Sequence, residues 1–182
     1  MHAKPIPEPW RSFLSEADAQ LREDIELHCL GGFVVTMLYG LARPTADVDV
    51  MMIAPGNASQ YLLGMAGKGS ALHQKHGVYL DFVAIVTVPE DYEQRLTELF
   101  PKVFKRLRLY AFDSYDLALA KLERNIQRDR DDVKYLARTI PLNPLLLKDR
   151  YEKELRPYLG NPVREDLTLR LWLEMIEEEQ TI

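Results

Sequence analysis

The sequence predicts an α/β (α+β) fold with a C-terminal helical extension, on three observations. Short apolar runs at 25–30, 48–53, 78–88 and 103–112 read as strands, with helix-patterned stretches between them. From residue 114 onward the pattern is helical only, and 144–182 reads as two helices split around Pro157, Gly160 and Pro162. Hydrophobic residues are 47% of 182, enough to build a core for one domain with an extension. The boundary between them is expected near residue 140, giving 1–140 and 141–182.

Residues 1–9 hold Pro5, Pro7 and Pro9 and read as an irregular arm. A first helix is expected over 10–25, with Ser15 as N-cap and Leu21 and Ile25 on one side. Strand one, 25–30, ends at Gly31-Gly32. The apolar run 32–38 is too short for periodicity to decide, and its β-branched residues would suit a strand. Gly40 would end a helix there, and Arg43-Pro44 cannot continue one. Residues 48–53 read as a buried strand, Pro55-Gly56-Asn57 as a turn, 58–66 as a helix and 67–69 as a flexible loop. The run 78–88 reads as a long strand ended by Pro89, with a short helix over 92–100 after it. Alternation over 103–112 suits a strand with one wet face. Ser114 is expected to cap a helix running to about residue 124, and another is expected to begin in the charge cluster 128–132. Leu167, Leu169, Leu171, Trp172, Met175 and Ile176 give the last helix an apolar stripe.

A net charge of -5 excludes nucleic-acid binding through overall basicity, although a local basic patch such as Lys102, Lys105, Arg106 and Arg108 remains compatible with it. The single cysteine, Cys29, excludes a disulfide framework or a cysteine zinc site and reads as a buried small residue. No secretory signal or apolar run of membrane-spanning length is visible, so a cytoplasmic protein without a membrane partner is expected. His73 and His76 read as a surface loop, His28 as a core or strand-edge residue, and Trp10 and Trp172 as packing anchors.

The chemistry concentrates in residues 30–53. Asp47 and Asp49, two apart on a strand, point to one face. Their mutual repulsion suggests a divalent cation between them. Asp81 is the one charge in a strongly apolar strand and is the third candidate ligand. A glycine pair opening a helix can bring backbone N–H groups to an anion, or be only a tight turn. Arg43 could hold a phosphate with two guanidinium contacts. Lys121, Arg124 and Arg128 fall at i, i+3 and i+7, a helical stripe suited to phosphates or simply to solvent.

Gly31-Gly32 followed by Arg43, Thr45, Asp47 and Asp49 resembles the signature of the DNA polymerase β-like nucleotidyltransferase superfamily. Within it the pattern looks most like the bacterial AbiEii-like abortive-infection and toxin group. Lys121 with Asp129 and Asp132 resembles the later motif of that group, a lysine followed by an Asp-x-x-Asp pair. Many members carry Gly-Ser where this chain has Gly31-Gly32, which leaves phosphate contact to backbone N–H groups. The resemblance implies a nucleotidyltransferase-like mixed sheet flanked by helices, with 32–38 helical, residues 1–140 catalytic and 141–182 a helical extension packed on them.

It also implies a Mg²⁺-dependent transfer of a nucleoside monophosphate from ATP or another NTP to an acceptor hydroxyl, with tRNA 3′ ends favoured over protein. Asp47, Asp49 and Asp81 would hold two Mg²⁺ ions, or Mn²⁺, and with Lys121 form the catalytic set. Gly31, Gly32, Arg43, Thr45, Lys121, Asp129 and Asp132 would bind nucleotide. A toxin–antitoxin or phage-defence role, with a cognate antitoxin as partner, follows from the same resemblance. The alternatives are a catalytically silent nucleotide- or partner-binding module and an interaction protein acting through its C-terminal helices.

Overall fold

The computed structural model describes residues 5–181. The start of the proline-rich arm, 1–4, lies outside the described residues. The described residues form two compact units, one from 5–84 and 96–111 and the other from 85–95 and 112–181.

The first unit is a five-stranded mixed sheet with helices. Its elements are α1 (Trp10–Gln20), β1 (Ile25–Leu30), α2 (Gly31–Met37), β2 (Asp47–Ala54), α3 (Ser59–Ala66), α4 (Ala71–His76), β3 (Tyr79–Phe82), β4 (Thr97–Leu99) and β5 (Leu107–Ala111). The strand order is β3-β2-β1-β5-β4. β1 is antiparallel to β2 and parallel to β5, β2 is parallel to β3, and β4 is antiparallel to β5. Central position explains the composition of β1, whose Ile25, Leu27, Cys29 and Leu30 are all buried. Trp10, Phe13, Leu14 and Ala17 recur at i, i+3, i+4 and i+7 and form the buried side of α1. Trp10 meets Phe33 of α2 edge-on at 4.8 Å. Each such large side chain contributes about 1.5–3 kcal/mol by leaving water. Asp18 near the end of α1 accepts the N–H groups of Lys105, Arg106 and Leu107, tying that helix to the start of β5.

The second unit contains α5 (Ser114–Leu119), α6 (Gln127–Thr139), α7 (Pro144–Arg150) and α8 (Val163–Thr181). Leu169, Trp172 and Ile176 give α8 its buried stripe, and Trp172 donates its indole N–H to Asn125 at 3.2 Å. The two C-terminal helices and the break around Pro157–Pro162 are as expected from sequence. No helix among the described residues is long and apolar enough to cross a membrane.

Several expected boundaries move, each for a physical reason. α1 starts at Trp10 and ends at Gln20, so Ser15 lies inside the helix and caps nothing. The 78–88 strand shrinks to Tyr79–Phe82, an edge strand whose one ladder partner among the described residues is β2. That pairing runs out at Val83, whose N–H still reaches Val50; β2 itself continues to Ala54, so the ladder stops because the chain leaves it there, and β propensity alone does not hold a segment to its neighbour. The helix over 92–100 is instead one 3₁₀ turn, Tyr92–Arg95, followed by β4, which uses the open edge of β5. Strand 103–112 begins only at Leu107, since the chain turns at Phe100 and Lys102, both with positive φ. His73 and His76, read as loop, lie on α4, which Ser70 caps and Gly77 ends at φ 73°.

The cation stripe is also corrected. α5 is capped by Asp113, not Ser114, and stops at Leu119. Lys121 and Arg124 then lie in a turn while Arg128 belongs to α6, so the three share no single helical face.

Candidate active site

β2 enters the sheet with Val48 and Val50 fully buried, which leaves Asp47 and Asp49 on the opposite, half-buried face. β3 runs parallel beside it in a register that pairs Asp47 with Tyr79 and Asp49 with Asp81. Adjacent strands are about 4.8 Å apart, so this register alone sets the third carboxylate beside the second. One carboxylate oxygen from each of Asp47, Asp49 and Asp81 lies within 4.8 Å of the others. Asp47 and Asp49 are half-buried and Asp81 is exposed. Among the described residues no other group of three potential ligands gathers this closely.

Neighbouring residues make room for the cluster and orient it. Leu30, the last residue of β1, is the register partner of Asp49, so Gly31 follows directly beside that carboxylate. Gly31 has φ +75°, and a Cβ there would lie 1.8 Å from Asp49 Oδ2. Only glycine satisfies both the left-handed backbone and that approach. Thr45 donates its hydroxyl to Asp47 Oδ1 at 3.0 Å, which restrains that carboxylate. Burial, reinforced by the Asp49 charge, pushes the Cys29 thiol far up and keeps it neutral. Tyr79 is also pushed up, first by burial and then by the charges of Asp47, Asp81 and Asp49.

Three like charges this close repel one another unless a cation or protons intervene. The donor set is all oxygen, on a part-exposed face that can admit further water or phosphate ligands, which fits a hard divalent ion such as Mg²⁺. The close approach of Asp49 that Gly31 permits fits the same purpose.

Lys121, Asp129 and Asp132 belong to the second unit and make a cluster of their own. Lys121 is buried, with its ammonium 2.9 Å from Asp132 and 3.5 Å from Asp129. Arg124 grips Asp129 with two guanidinium contacts of 2.6 and 2.9 Å. Asp129 also accepts the N–H of Ile126, capping α6 from its third residue. Burial raises the Asp129 carboxyl, but Arg124, Lys121 and that N–H outweigh it and hold it below the usual range. Arg43, in the turn before β2, is half-buried, and its carbonyl accepts the Thr36 hydroxyl at 3.3 Å.

Sequence reading did not anticipate the Thr45–Asp47 hydrogen bond, the clamp of Arg124 on Asp129, or Tyr79 beside the acidic cluster. The Tyr79–Asp81 spacing was a usable signal, since residues two apart on a strand share a face.

Neither a curated protein nor a solved structure gives a match to this chain. Residues 13–178, nearly the whole chain, match the family described as "Nucleotidyltransferase of unknown function (DUF6036)". By that match the chain belongs to this nucleotidyltransferase family.

Proposed function

We propose that the protein transfers a nucleoside monophosphate from an NTP to an acceptor hydroxyl and releases pyrophosphate. The convergence of Asp47, Asp49 and Asp81 within 4.8 Å, beside a glycine whose space one of them fills, carries this reading. Asp47, Asp49 and Asp81 would hold Mg²⁺, which when bound neutralises charge on the triphosphate and on the entering and leaving oxygens. Thr45 keeps the Asp47 carboxylate turned toward the site. Asp81, the exposed member, is the carboxylate an acceptor can approach, and it takes the proton of the attacking hydroxyl. The hydroxyl oxygen bonds to the α-phosphorus, the bond from that phosphorus to the bridging oxygen breaks, and the electron pair leaves on pyrophosphate.

Gly31, Gly32 and Arg43 are the proposed nucleotide contacts of the first unit, by the family resemblance of their motif. For Lys121, Asp129 and Asp132 the same resemblance supports a nucleotide-facing role. Their mutual ion pairs support a second task, holding the turn before α6 in place. The AbiEii-like character of the motifs supports an RNA acceptor, with tRNA 3′ ends favoured, and a toxin or phage-defence setting.

Incubation with labelled NTPs, Mg²⁺ and either total RNA or cell lysate tests the reading. Label should pass to RNA in the wild type and not in Asp49→Asn. Label on protein alone would replace the RNA acceptor, and no transfer by either form would remove the activity.

A further inference from the structure

At the β3 edge of the sheet, Gly67 bridges Leu80 in parallel, so the loop after α3 is tied to β3 between Tyr79 and Asp81. The loop path is set by glycine on both sides of Lys68. A Cβ at Gly67 would meet the Leu63 carbonyl oxygen at 2.4 Å, and Gly69 has φ +83°. Lys68, between them, is exposed, and its ammonium sits 5.7 Å from the centre of the Tyr79 ring. His73 meets the same ring edge-on at 4.8 Å and accepts the Gly69 N–H on Nδ1 at 2.9 Å, bracing loop and ring together. Tyr79 pairs in register with Asp47 and shares its strand face with Asp81. Lys68 makes no ion pair among the described residues, although the ring it covers stands in the field of three carboxylates.

We propose that Lys68, held over Tyr79 by the 67–69 loop, is a substrate-binding residue that takes a phosphate oxyanion beside the Asp47–Asp49–Asp81 centre. The inference rests on the nucleotidyl-transfer reading and adds to it a contact outside the signature residues. An exposed cation–π contact is worth only about 0.5–1 kcal/mol, so the ring can park the ammonium without competing with a phosphate. The ammonium acts as a point charge on a flexible stem and can follow a phosphate that moves during transfer. That phosphate belongs either to the NTP or to the backbone of an RNA acceptor, whereas a protein acceptor brings none.

The test uses the full chain as wild type, Lys68→Ala, Lys68→Arg, Tyr79→Phe and Asp49→Asn. Each is titrated with Mg²⁺ and α,β-methylene analogues of the NTPs, and separately with a single-stranded RNA oligonucleotide over a salt series. Lys68→Ala should bind one of the two probes about tenfold more weakly, while Lys68→Arg and Tyr79→Phe stay within about twofold. If the phosphate is the acceptor's, the RNA arm weakens and its salt slope falls by about 0.7. If it is the triphosphate's, only the nucleotide arm moves. Binding of both probes by Lys68→Ala as tightly as by the wild type overturns the inference. The transfer reading then still stands if Asp49→Asn alone abolishes transfer. Conversely, weakened probe binding in Lys68→Ala with no transfer by the wild type keeps the phosphate contact and removes the activity. A wild type that binds neither probe overturns the inference outright.

Discussion

Asp47, Asp49 and Asp81 in the first unit and Lys121, Arg124, Asp129 and Asp132 in the second are both dense charge clusters, but they settle their charge differently. In the second, the buried Lys121 pairs with both carboxylates, and Arg124 and the Ile126 N–H hold Asp129 as well. In the first, Asp47 is held by a neutral hydroxyl, and Asp81 makes no hydrogen bond or ion pair among the described residues. Lys121, Asp129 and Asp132 of the second cluster are buried, where unpaired charge is costly, and the first cluster lies on a part-exposed face that a cationic ligand can reach. Acids buried against cations hold a fold together, whereas acids gathered on a part-exposed face are placed to bind something. The clusters should therefore respond in opposite ways to the same kind of substitution.

The largest expected effect is on activity. Asp49→Asn should lower NMP transfer by about 10²–10³-fold or more, with a melting temperature within a few degrees of the wild type. A melting temperature several degrees lower would mean that the first cluster is structural after all. Lys121→Met should do the reverse to stability, costing about 3–5 kcal/mol because it takes the ammonium away from two buried carboxylates. Urea unfolding with an unchanged m-value would measure it.

Gly31→Ala sharpens the contrast from the backbone side. Its Cβ must displace the Asp49 carboxylate, and its backbone must hold φ +75°. About 1–3 kcal/mol of stability and most of the metal-dependent activity should go together. A variant that kept full activity would show that Asp49 does not need its present position.

Mg²⁺ should stabilise the wild type by mass action, about 2.7 kcal/mol at a hundredfold excess over its Kd. Asp81→Asn should shrink that gain, and Asp132→Asn should lower the melting temperature without abolishing the Mg²⁺ response. Thermal melts with and without Mg²⁺ separate the outcomes.

The smallest effect concerns acid. Asp129 is held below its ordinary value, so its pairing stabilises the fold above the unfolded carboxyl pKa of about 3.9 and is lost as pH falls through the folded value. Wild type and Asp129→Asn should differ most near neutrality and converge below about pH 4. A constant difference across that range would remove the linkage.

The site was legible to the extent that chain-local rules reach it. Two aspartates on alternate strand positions share a face by the pleat alone, and the charge at 81 stands out in its apolar run, although the structure leaves Asp81 exposed and so without the desolvation cost that the run implies. Strand β1 and the two C-terminal helices were readable because their apolar patterns are bounded by glycine or proline. The helix of 31–37 was not, since Phe33, Val34 and Val35 are apolar in either conformation; only family likeness selected it. The long strand at 78–88 and the long helix after Ser114 failed for a shared reason. Propensity describes what a segment tolerates, while its length depends on tertiary contacts: the chain beyond β3 leaves β2 although β2 runs on to Ala54, and α5 gives way to the turn that buries Lys121.

The amino-acid order by itself determined the inventory of this protein: an α/β chain with three well-spaced aspartates, a glycine pair before two of them and a lysine ahead of an Asp-x-x-Asp pair. Tertiary structure alone decided which of those charges face a cation and which face each other. It paired β3 with β2 so that Asp81 meets Asp49, tied the Lys68 loop to that edge, and folded Lys121 and Arg124 back onto Asp129 and Asp132. The physical reason is range. Pattern and propensity act over a few residues, whereas the energy of a charge is set by whatever lies within several ångströms, which only strand register and packing bring there.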